Sequence, residues 1–348
     1  MDFFVLLIKE VILLFIPNKA VIEEKALEYE KGREILEKFK KLNINTTIVK
    51  SNRYPSIRNT TPAEKFMDSK RTLIVGVRKK ISFQSCKPSA HYQLPLISGC
   101  SGMCEYCYLN TQLGKRPYTK INVNIEEILN QAMEYVEERK PDITIFEGAA
   151  TSDPIPVEYY SGALAKAIEV FGENEFTRFR VVSKFSDVDS LLKLNHNGHT
   201  TIRFSINTQR VIREFEHGTD NIDNRLEAAK KVKEAGYNLG FIIAPVLIYP
   251  NWKEEYLKLL DKIKNDISTY DLMFEVISHR FTGRAKERIL QVYPNSKLPM
   301  NEEERKYKYG QFGYGKFVYP NEELNEMKEF FKTSLEERFG GSSINYII

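Results

Sequence analysis

Cysteine is scarce in this chain. There are four, Cys86, Cys100, Cys104 and Cys107, with three inside eight residues, which is too few and too local for a disulfide framework and fits a reducing compartment. Proline- and glycine-rich linkers and low-complexity tracts are absent, so 348 residues with 42% hydrophobic content are expected to form one large domain with small appendages. Charge of either sign is in little excess: 51 Lys and Arg against 47 Asp and Glu leave +4, so an argument for a nucleic-acid partner must rest on local clusters. One stretch, residues 3–16, could be confused with a membrane segment or a signal peptide, but it falls short of the roughly 20 apolar residues a bilayer requires. Lys9 and Glu10 interrupt it and no small-residue cleavage site follows. It is expected to be a buried or partner-facing extension, with an upstream start or a membrane contact as the other readings.

What is present is the run Ser98-Gly-Cys-Ser-Gly-Met-Cys-Glu-Tyr-Cys-Tyr108. Iron–sulfur cubanes are normally held by four Cys thiolates, so a loop offering three leaves one iron open to a small molecule. The competing reading is zinc, because Cys104 and Cys107 make a C-x2-C half-site and zinc sites usually draw four ligands from two such pairs. No second pair exists; Cys86 or His91 would have to complete the set at an atypical spacing. The third cysteine, four residues upstream, and the aromatic Tyr106 and Tyr108 favour the cluster. The spacing is similar to the cluster loop of the radical S-adenosylmethionine (SAM) superfamily, where SAM occupies the open iron. That likeness implies a [4Fe-4S] cluster on Cys100, Cys104 and Cys107 and SAM as the second cofactor.

Beyond residue 70, short apolar runs alternate with longer amphipathic ones, the signal of strands and helices around a parallel sheet. Residues 71–77 read as a leading strand, followed by 92–98, 143–147, 178–183, 201–207, 239–246 and 272–278. Helical spacing falls between them, over 125–138, 159–171, 188–193, 221–235, 252–264 and 284–290. The expected fold is α/β, a partial (β/α)6 barrel of the TIM type, open on one side. Residues 15–70, helical over 24–42 and strand-like over 46–50, are expected to cover a barrel edge. The division drawn from this is 1–85 for extension and cover, 86–290 for the barrel, and 291–348 for a C-terminal hairpin and helix.

Parallel barrels build their sites at the C-terminal ends of the strands. The polar residues fall there: Glu147 with Thr151, Ser152 and Asp153, then Lys184, then Ser205 and Asn207, then Ala244 and Pro245, then Ser278, His279 and Arg280. Each has a plain structural explanation on its own. Ser152 or Asp153 could cap a helix, Lys184 could be a solvated charge, and Ser205 could satisfy a neighbouring backbone group. Their shared position is what makes them candidates for a ligand with an amino group, a carboxylate, a ribose and an adenine.

Many motifs in one order give the chain a specific resemblance over residues 15–346. They are Val75-Gly-Val-Arg-Lys79, Lys87-Pro-Ser-Ala90, the cysteine loop, Phe146-Glu147, Thr151-Ser-Asp153, Ser183-Lys-Phe185, His196-Asn-Gly198, Phe204-Ser-Ile-Asn207, Gly240-Phe-Ile242 and His279-Arg-Phe281. The chain resembles the spore photoproduct lyase family, radical SAM carbon–carbon lyases that repair the methylene-bridged thymine dimer, 5-thyminyl-5,6-dihydrothymine, in ultraviolet-damaged spore DNA. The resemblance implies a 5′-deoxyadenosyl radical that takes a hydrogen from C6 of the lesion, fragmentation of the bridge, and return of a hydrogen atom to the resulting allylic radical. It also implies that Ser152, Lys184, Ser205 and Ala244 line SAM and that Tyr106 and Tyr108 relay a hydrogen atom beside the cluster.

One departure matters. The family usually carries a cysteine in the stretch matching Phe146-Glu-Gly-Ala-Ala-Thr-Ser-Asp153, and this chain has Ala150. With the three loop cysteines committed as ligands, Cys86 is the only remaining thiol and is expected to be the hydrogen-atom donor. The other readings are an ordinary small buried thiol and Ala150 as an engineered replacement of cysteine.

DNA contact is expected from Arg305-Lys-Tyr-Lys-Tyr-Gly-Gln-Phe-Gly-Tyr-Gly-Lys316, which mixes aromatics with four basic residues and three glycines as a hairpin wedge would. Such a wedge suits an enzyme that must extrude damaged bases from the stack. Arg305, Gln311, Phe312, Lys316 and Tyr319 are the candidate contacts, and Arg78-Lys-Lys80 with Lys87 is a second basic stretch. The partners expected are damaged double-stranded DNA and an electron donor such as ferredoxin or flavodoxin, with no membrane, in the cytoplasm of a spore core. The alternatives are a radical SAM enzyme acting on another nucleic acid or a peptide, and a non-enzymatic zinc protein that binds nucleic acid.

Overall fold

The computed structural model describes residues 15–50, 54, 60–267, 271–310, 313 and 315–348. The expectation for residues 3–16 therefore lies almost wholly outside the described residues. Two sheets organise the rest. The larger has eight strands in the order Ser343–Ile347, Leu272–Ser278, Asn238–Val246, Thr200–Ile206, Thr177–Ser183, Thr144–Glu147, Ala90–Gln93 and Ser85–Cys86. Strands Ala90–Gln93 through Leu272–Ser278 are parallel throughout, which makes six barrel strands. Ser343–Ile347 extends one edge in parallel and Ser85–Cys86 closes the other as an antiparallel hairpin. The partial barrel is thus present, with a strand at each end that periodicity did not signal.

The smaller sheet runs Asn45–Val49, Lys19–Glu23, Thr72–Gly76, Thr119–Asn122 and Ile97–Ser98. It corrects the expectation of one strand over 92–98. Pro95 has no N–H to give to a ladder, and the segment divides into Ala90–Gln93 in the barrel and Ile97–Ser98 in the covering sheet. The cysteine loop therefore leaves from a junction of both sheets.

Three helical expectations are also revised. The helix over 24–42 splits at Tyr29, which is extended, into a 3-10 turn Glu24–Glu28 and helix Glu30–Lys41. The two pieces press together at Gly32, where a Cβ would lie 1.8 Å from the Ala26 carbonyl oxygen. The helix over 159–171 breaks at Gly162, whose φ of 58° is left-handed, leaving Glu158–Ser161 and Ala163–Gly172. The segment over 188–193 forms only the 3-10 turn Asp189–Leu191, since so short a run cannot offset the cost of helix nucleation.

Apolar packing lies between the barrel strands and their helices. Phe146 stacks on Phe171 of helix Ala163–Gly172 at 5.0 Å between ring centroids, and Phe179 meets Phe171 at 5.2 Å. Helix Asn321–Arg338 docks on helix Trp252–Asp266 through Trp252–Phe330 and Tyr256–Phe331. Among the described residues no helix is long and apolar enough to cross a membrane.

The inside of the barrel is polar. Arg203, 1% exposed, donates to Glu147 on one side and to Glu275 at 2.9 Å on the other. Gly240, its register partner on the next strand, has no side chain to obstruct it; a Cβ there would sit 2.9 Å from Arg203 Cγ. The Arg203→Leu variant would leave two carboxylates buried without their cation, a loss of about 3–5 kcal/mol. Urea denaturation is expected to show that loss, and a loss below about 1 kcal/mol would mean the carboxylates are satisfied by other groups.

Candidate active site

The cysteine loop is fixed at several points before any ligand is considered. Gly99 bridges to Ser152 in parallel fashion, its N–H donating to the Thr151 carbonyl at 2.9 Å. The buried Lys70 ammonium donates to the Cys100 carbonyl at 2.8 Å. Met103–Cys104 pairs antiparallel with Glu216–His217, Tyr293 Oη donates to the Met103 carbonyl at 2.7 Å, and His217 meets Glu105 at 2.8 Å.

Cys100, Cys104 and Cys107 carry free thiols that interact electrostatically with one another. Burial pushes Cys104 up to about 12 and raises Cys100 as well, so metal uptake must displace protons. The Gly102 amide donates to Cys100 Sγ at 3.2 Å, a contact that favours a thiolate. The donor set fits a cubane. Three thiols on one loop can each meet a separate iron of a cluster, with the fourth iron left open. His91 does not complete a zinc set: its Nδ1 accepts from the Ile145 amide at 2.9 Å and its Nε2 faces Arg139 at 3.3 Å.

Beside the loop lies a charged group that sequence reasoning missed. Glu216 is buried and is met by Lys184 Nζ at 2.8 Å and by Arg225 Nη2 at 2.6 Å, and Tyr106 Oη donates to it. Burial opposes its charge, but Lys184 and Arg225 hold its carboxyl down at about 2. Lys184 also donates to Ser205 Oγ at 2.8 Å and lies 5.6 Å from the Tyr106 ring centroid. It is therefore a fixed cation rather than a solvated one. Glu216 and Arg225 lie in no motif, being the end of one helix and the body of another, so only their spatial meeting reveals them.

Ser152 caps no helix; its hydroxyl donates to the Gly148 carbonyl at 3.2 Å. Asp153 accepts from Ser183 Oγ at 2.8 Å and the Lys184 amide at 3.0 Å, tying the second and third strand ends together. Burial lifts it to about 6 against those hydrogen bonds. Ala244 is half-buried within the fifth barrel strand. Ser152, Lys184 and Ser205 thus gather around the cysteine loop, with Ala244 on the adjoining strand.

Cys86 stands at the sheet edge, paired with Ala90. The turn beyond it is held by Ser89, whose hydroxyl donates to Glu147 at 2.9 Å and accepts from Arg203 at 3.1 Å, while its carbonyl accepts from Arg180 at 2.6 Å. Tyr108 is 53% exposed, its hydroxyl donates to the Ala150 carbonyl, and it lies within electrostatic range of both Cys107 and Cys86.

The C-terminal hairpin forms from Lys306–Tyr309 and Gly315–Val318. Gln311 and Phe312 lie outside the described residues. Tyr319, expected to touch DNA, is 3% exposed; its hydroxyl accepts from the Ile248 amide and its ring lies 3.6 Å from the Arg305 guanidinium carbon. Arg305 is also turned inward, donating to the carbonyls of His279 and Pro299. These two anchor the hairpin, and a duplex cannot reach Tyr319. Lys316 is half-buried on the second strand. Among the described residues of the hairpin the exposed aromatics are Tyr307 and Tyr309, 59% and 69% exposed, flanked by Lys306 and Lys308.

Comparison with known proteins agrees with this geometry. A family model described as spore photoproduct lyase matches residues 15–348. The chain is 54% identical over 331 residues to the spore photoproduct lyase of Clostridium acetobutylicum, covering 95% of this chain and 98% of the relative. It is 42% identical over 336 residues to that of Bacillus subtilis, with the same shares covered. A solved spore photoproduct lyase double mutant with bound AdoMet and dinucleoside spore photoproduct superposes with a TM-score of 0.93 at 43% identity, over 96% of this chain and 99% of that one. The chain therefore belongs to the spore photoproduct lyase family, a family of radical SAM lyases.

Proposed function

We propose that the protein repairs the spore photoproduct in DNA, restoring two thymines, and that Cys86 supplies the hydrogen atom that ends the reaction. Support comes from membership of the family and from a solved relative complexed with dinucleoside spore photoproduct at 42% identity. The observation that carries the donor assignment is the thiol count: Cys86 is the one cysteine outside the 100–107 loop, and Ala150, whose carbonyl accepts from the Tyr108 hydroxyl, stands in the stretch where the family usually has cysteine. AdoMet and a [4Fe-4S] cluster on Cys100, Cys104 and Cys107 supply, when bound, an organic radical able to take a hydrogen atom.

The chain's own residues do the rest. Lys184, Ser205, Ser152 and Ala244 hold AdoMet, with Glu216 and Arg225 fixing the Lys184 ammonium. One hydrogen atom leaves C6 of the lesion, the bridge fragments, and one hydrogen atom arrives at the methylene carbon from Cys86 Sγ. The sulfur radical left behind is refilled through the Tyr108 and Tyr106 hydroxyls by the hydrogen first removed, so the sequence is redox-neutral. Ala150 offers only a backbone carbonyl to Tyr108, which orients that phenol without competing for the hydrogen.

DNA is taken by the hairpin, with Lys306, Tyr307, Lys308, Tyr309 and Lys316 along its strands, Gln311 and Phe312 as further contacts from the sequence between those strands, and Arg305 as its anchor. In this reading residues 1–85 cover, 86–290 carry the chemistry and 291–348 grip the substrate. A small electron carrier such as ferredoxin or flavodoxin reduces the cluster, and the protein acts in the spore core.

Only the protonated thiol carries a hydrogen atom to give. Burial, reinforced by the nearby Glu147 carboxylate, pushes Cys86 up to about 12, above its ordinary value of 9.0. A raised value extends the thiol form upward in pH, so Cys86 stays protonated between pH 7 and 9 by the two-state titration of a single group. Iodoacetamide labelling of the cluster-loaded protein, read by peptide mass, is expected to leave Cys86 largely unmodified at pH 9. Rapid labelling near pH 8 would contradict the protected thiol. The function itself is tested by anaerobic incubation with AdoMet, dithionite and a dinucleotide carrying the lesion. Wild type is expected to release two intact thymines and Cys86→Ala to give radical-derived side products, and clean repair by Cys86→Ala would remove the donor role.

A further inference from the structure

Strands Thr72–Gly76 and Thr119–Asn122 of the covering sheet end at an open cleft of about 270 Å³. It is lined by Arg78, Lys79, Lys80, Lys120, Ser98 and Asn122. Four of these side chains are cationic, and only Lys120 has an acidic partner, with its Nζ 2.8 Å from the buried Glu23 carboxylate. Arg78, Lys79 and Lys80 have none among the described residues, and Arg78 Nε is buried without an acceptor. The backbone at Arg78 is clamped from both sides, its N–H donating to Asn124 Oδ1 at 2.9 Å and its carbonyl accepting from Asn124 Nδ2 at 3.1 Å. A half-buried guanidinium held in place without a partner is unfavourable until an anion meets it.

The cleft's position identifies the anion. Ser98 precedes the ligand Cys100 by two residues, about 7 Å of chain at most, and Lys80 precedes Cys86 by six. The cleft therefore lies in the covering sheet where the chain leads from the first barrel strand into the cysteine loop, whereas the hairpin attaches beyond the sixth strand through Phe281 and Phe317. A dinucleoside has no backbone phosphates outside the lesion, whereas a lesion within a DNA strand has one on each flank. Resting on the function proposed above, we propose that Arg78 and Lys80 bind a backbone phosphate of the lesion-bearing DNA strand, with Lys79 at the rim. Arg78 supplies the planar fork that phosphate oxygens match, and the lysines supply point charge.

The test compares wild type, Arg78→Ala, Lys80→Ala and the double variant, all loaded with cluster. Fluorescence anisotropy on a duplex oligonucleotide carrying the lesion is measured across a salt series, alongside repair of the lesion as a dinucleoside. The double variant is expected to bind the duplex about tenfold more weakly, with a salt dependence shallower by one to two ionic contacts, while dinucleoside repair changes less than twofold. Lys80→Ala alters an exposed side chain and keeps the test valid if Arg78→Ala folds poorly. Unchanged duplex affinity and salt slope would overturn the phosphate site, as would an equal loss on the dinucleoside. Normal DNA binding with slowed cluster reduction by an acidic electron carrier, but not by dithionite, would also overturn it and mark the cleft as a protein dock. Failure of wild type to repair the dinucleoside would instead strike at the proposed function.

Discussion

One guanidinium in the middle of the barrel ties the turn after Cys86 to the fold. Arg203, on the fourth barrel strand, reaches Glu147 on the second, Glu275 on the sixth and the Ser89 hydroxyl in the turn after Cys86. A buried cation of this kind is stable only when its partners are in place, and each carboxylate in turn depends on the cation. Asn345 Nδ2, on the added edge strand, donates to Glu275 at 3.2 Å and extends the same network to the C-terminus. The turn after Cys86 is therefore held by charge pairing across the barrel as well as by the short two-residue strand in which Cys86 sits.

A second buried ion group does the same for the cysteine loop. Glu216 lies where Lys184, Arg225 and Tyr106 meet, and the strand it begins pairs with Cys104. Its charge is kept by two cations against the penalty of burial, so the Tyr106 hydroxyl faces a permanent acceptor. The side chains around the site are oriented by partners within the chain, which suits a site whose radical chemistry belongs to its cofactor.

Much of this was legible in the sequence because it is local. The cysteine triplet, the six barrel strands and the basic, aromatic hairpin each occupy one contiguous segment with its own period or spacing. Long-range pairings were not legible. Glu216, Arg225, Arg203 and Glu275 are ordinary charges until strands far apart in sequence bring them together, and Lys70 gives no sign that it will be buried against the cysteine loop. Pro95 could have signalled that the run over 92–98 divides between two sheets. Tyr319 misled because an aromatic near basic residues reads as a nucleic-acid contact, whereas Arg305 stacks on it from inside the protein. Ser343–Ile347 is too short to stand out, and only its place beside Leu272–Ser278 makes it a strand.

The central claim is that the hydrogen completing repair comes from the sulfur of Cys86. A thiol proton exchanges with solvent, so protein equilibrated in deuterium oxide carries deuterium at that position. In a single turnover under these conditions, mass spectrometry of the repaired product is expected to find one deuterium in a thymine methyl group with wild type and none with Cys86→Ala. Clean repair by Cys86→Ala with the same single deuterium would contradict the account.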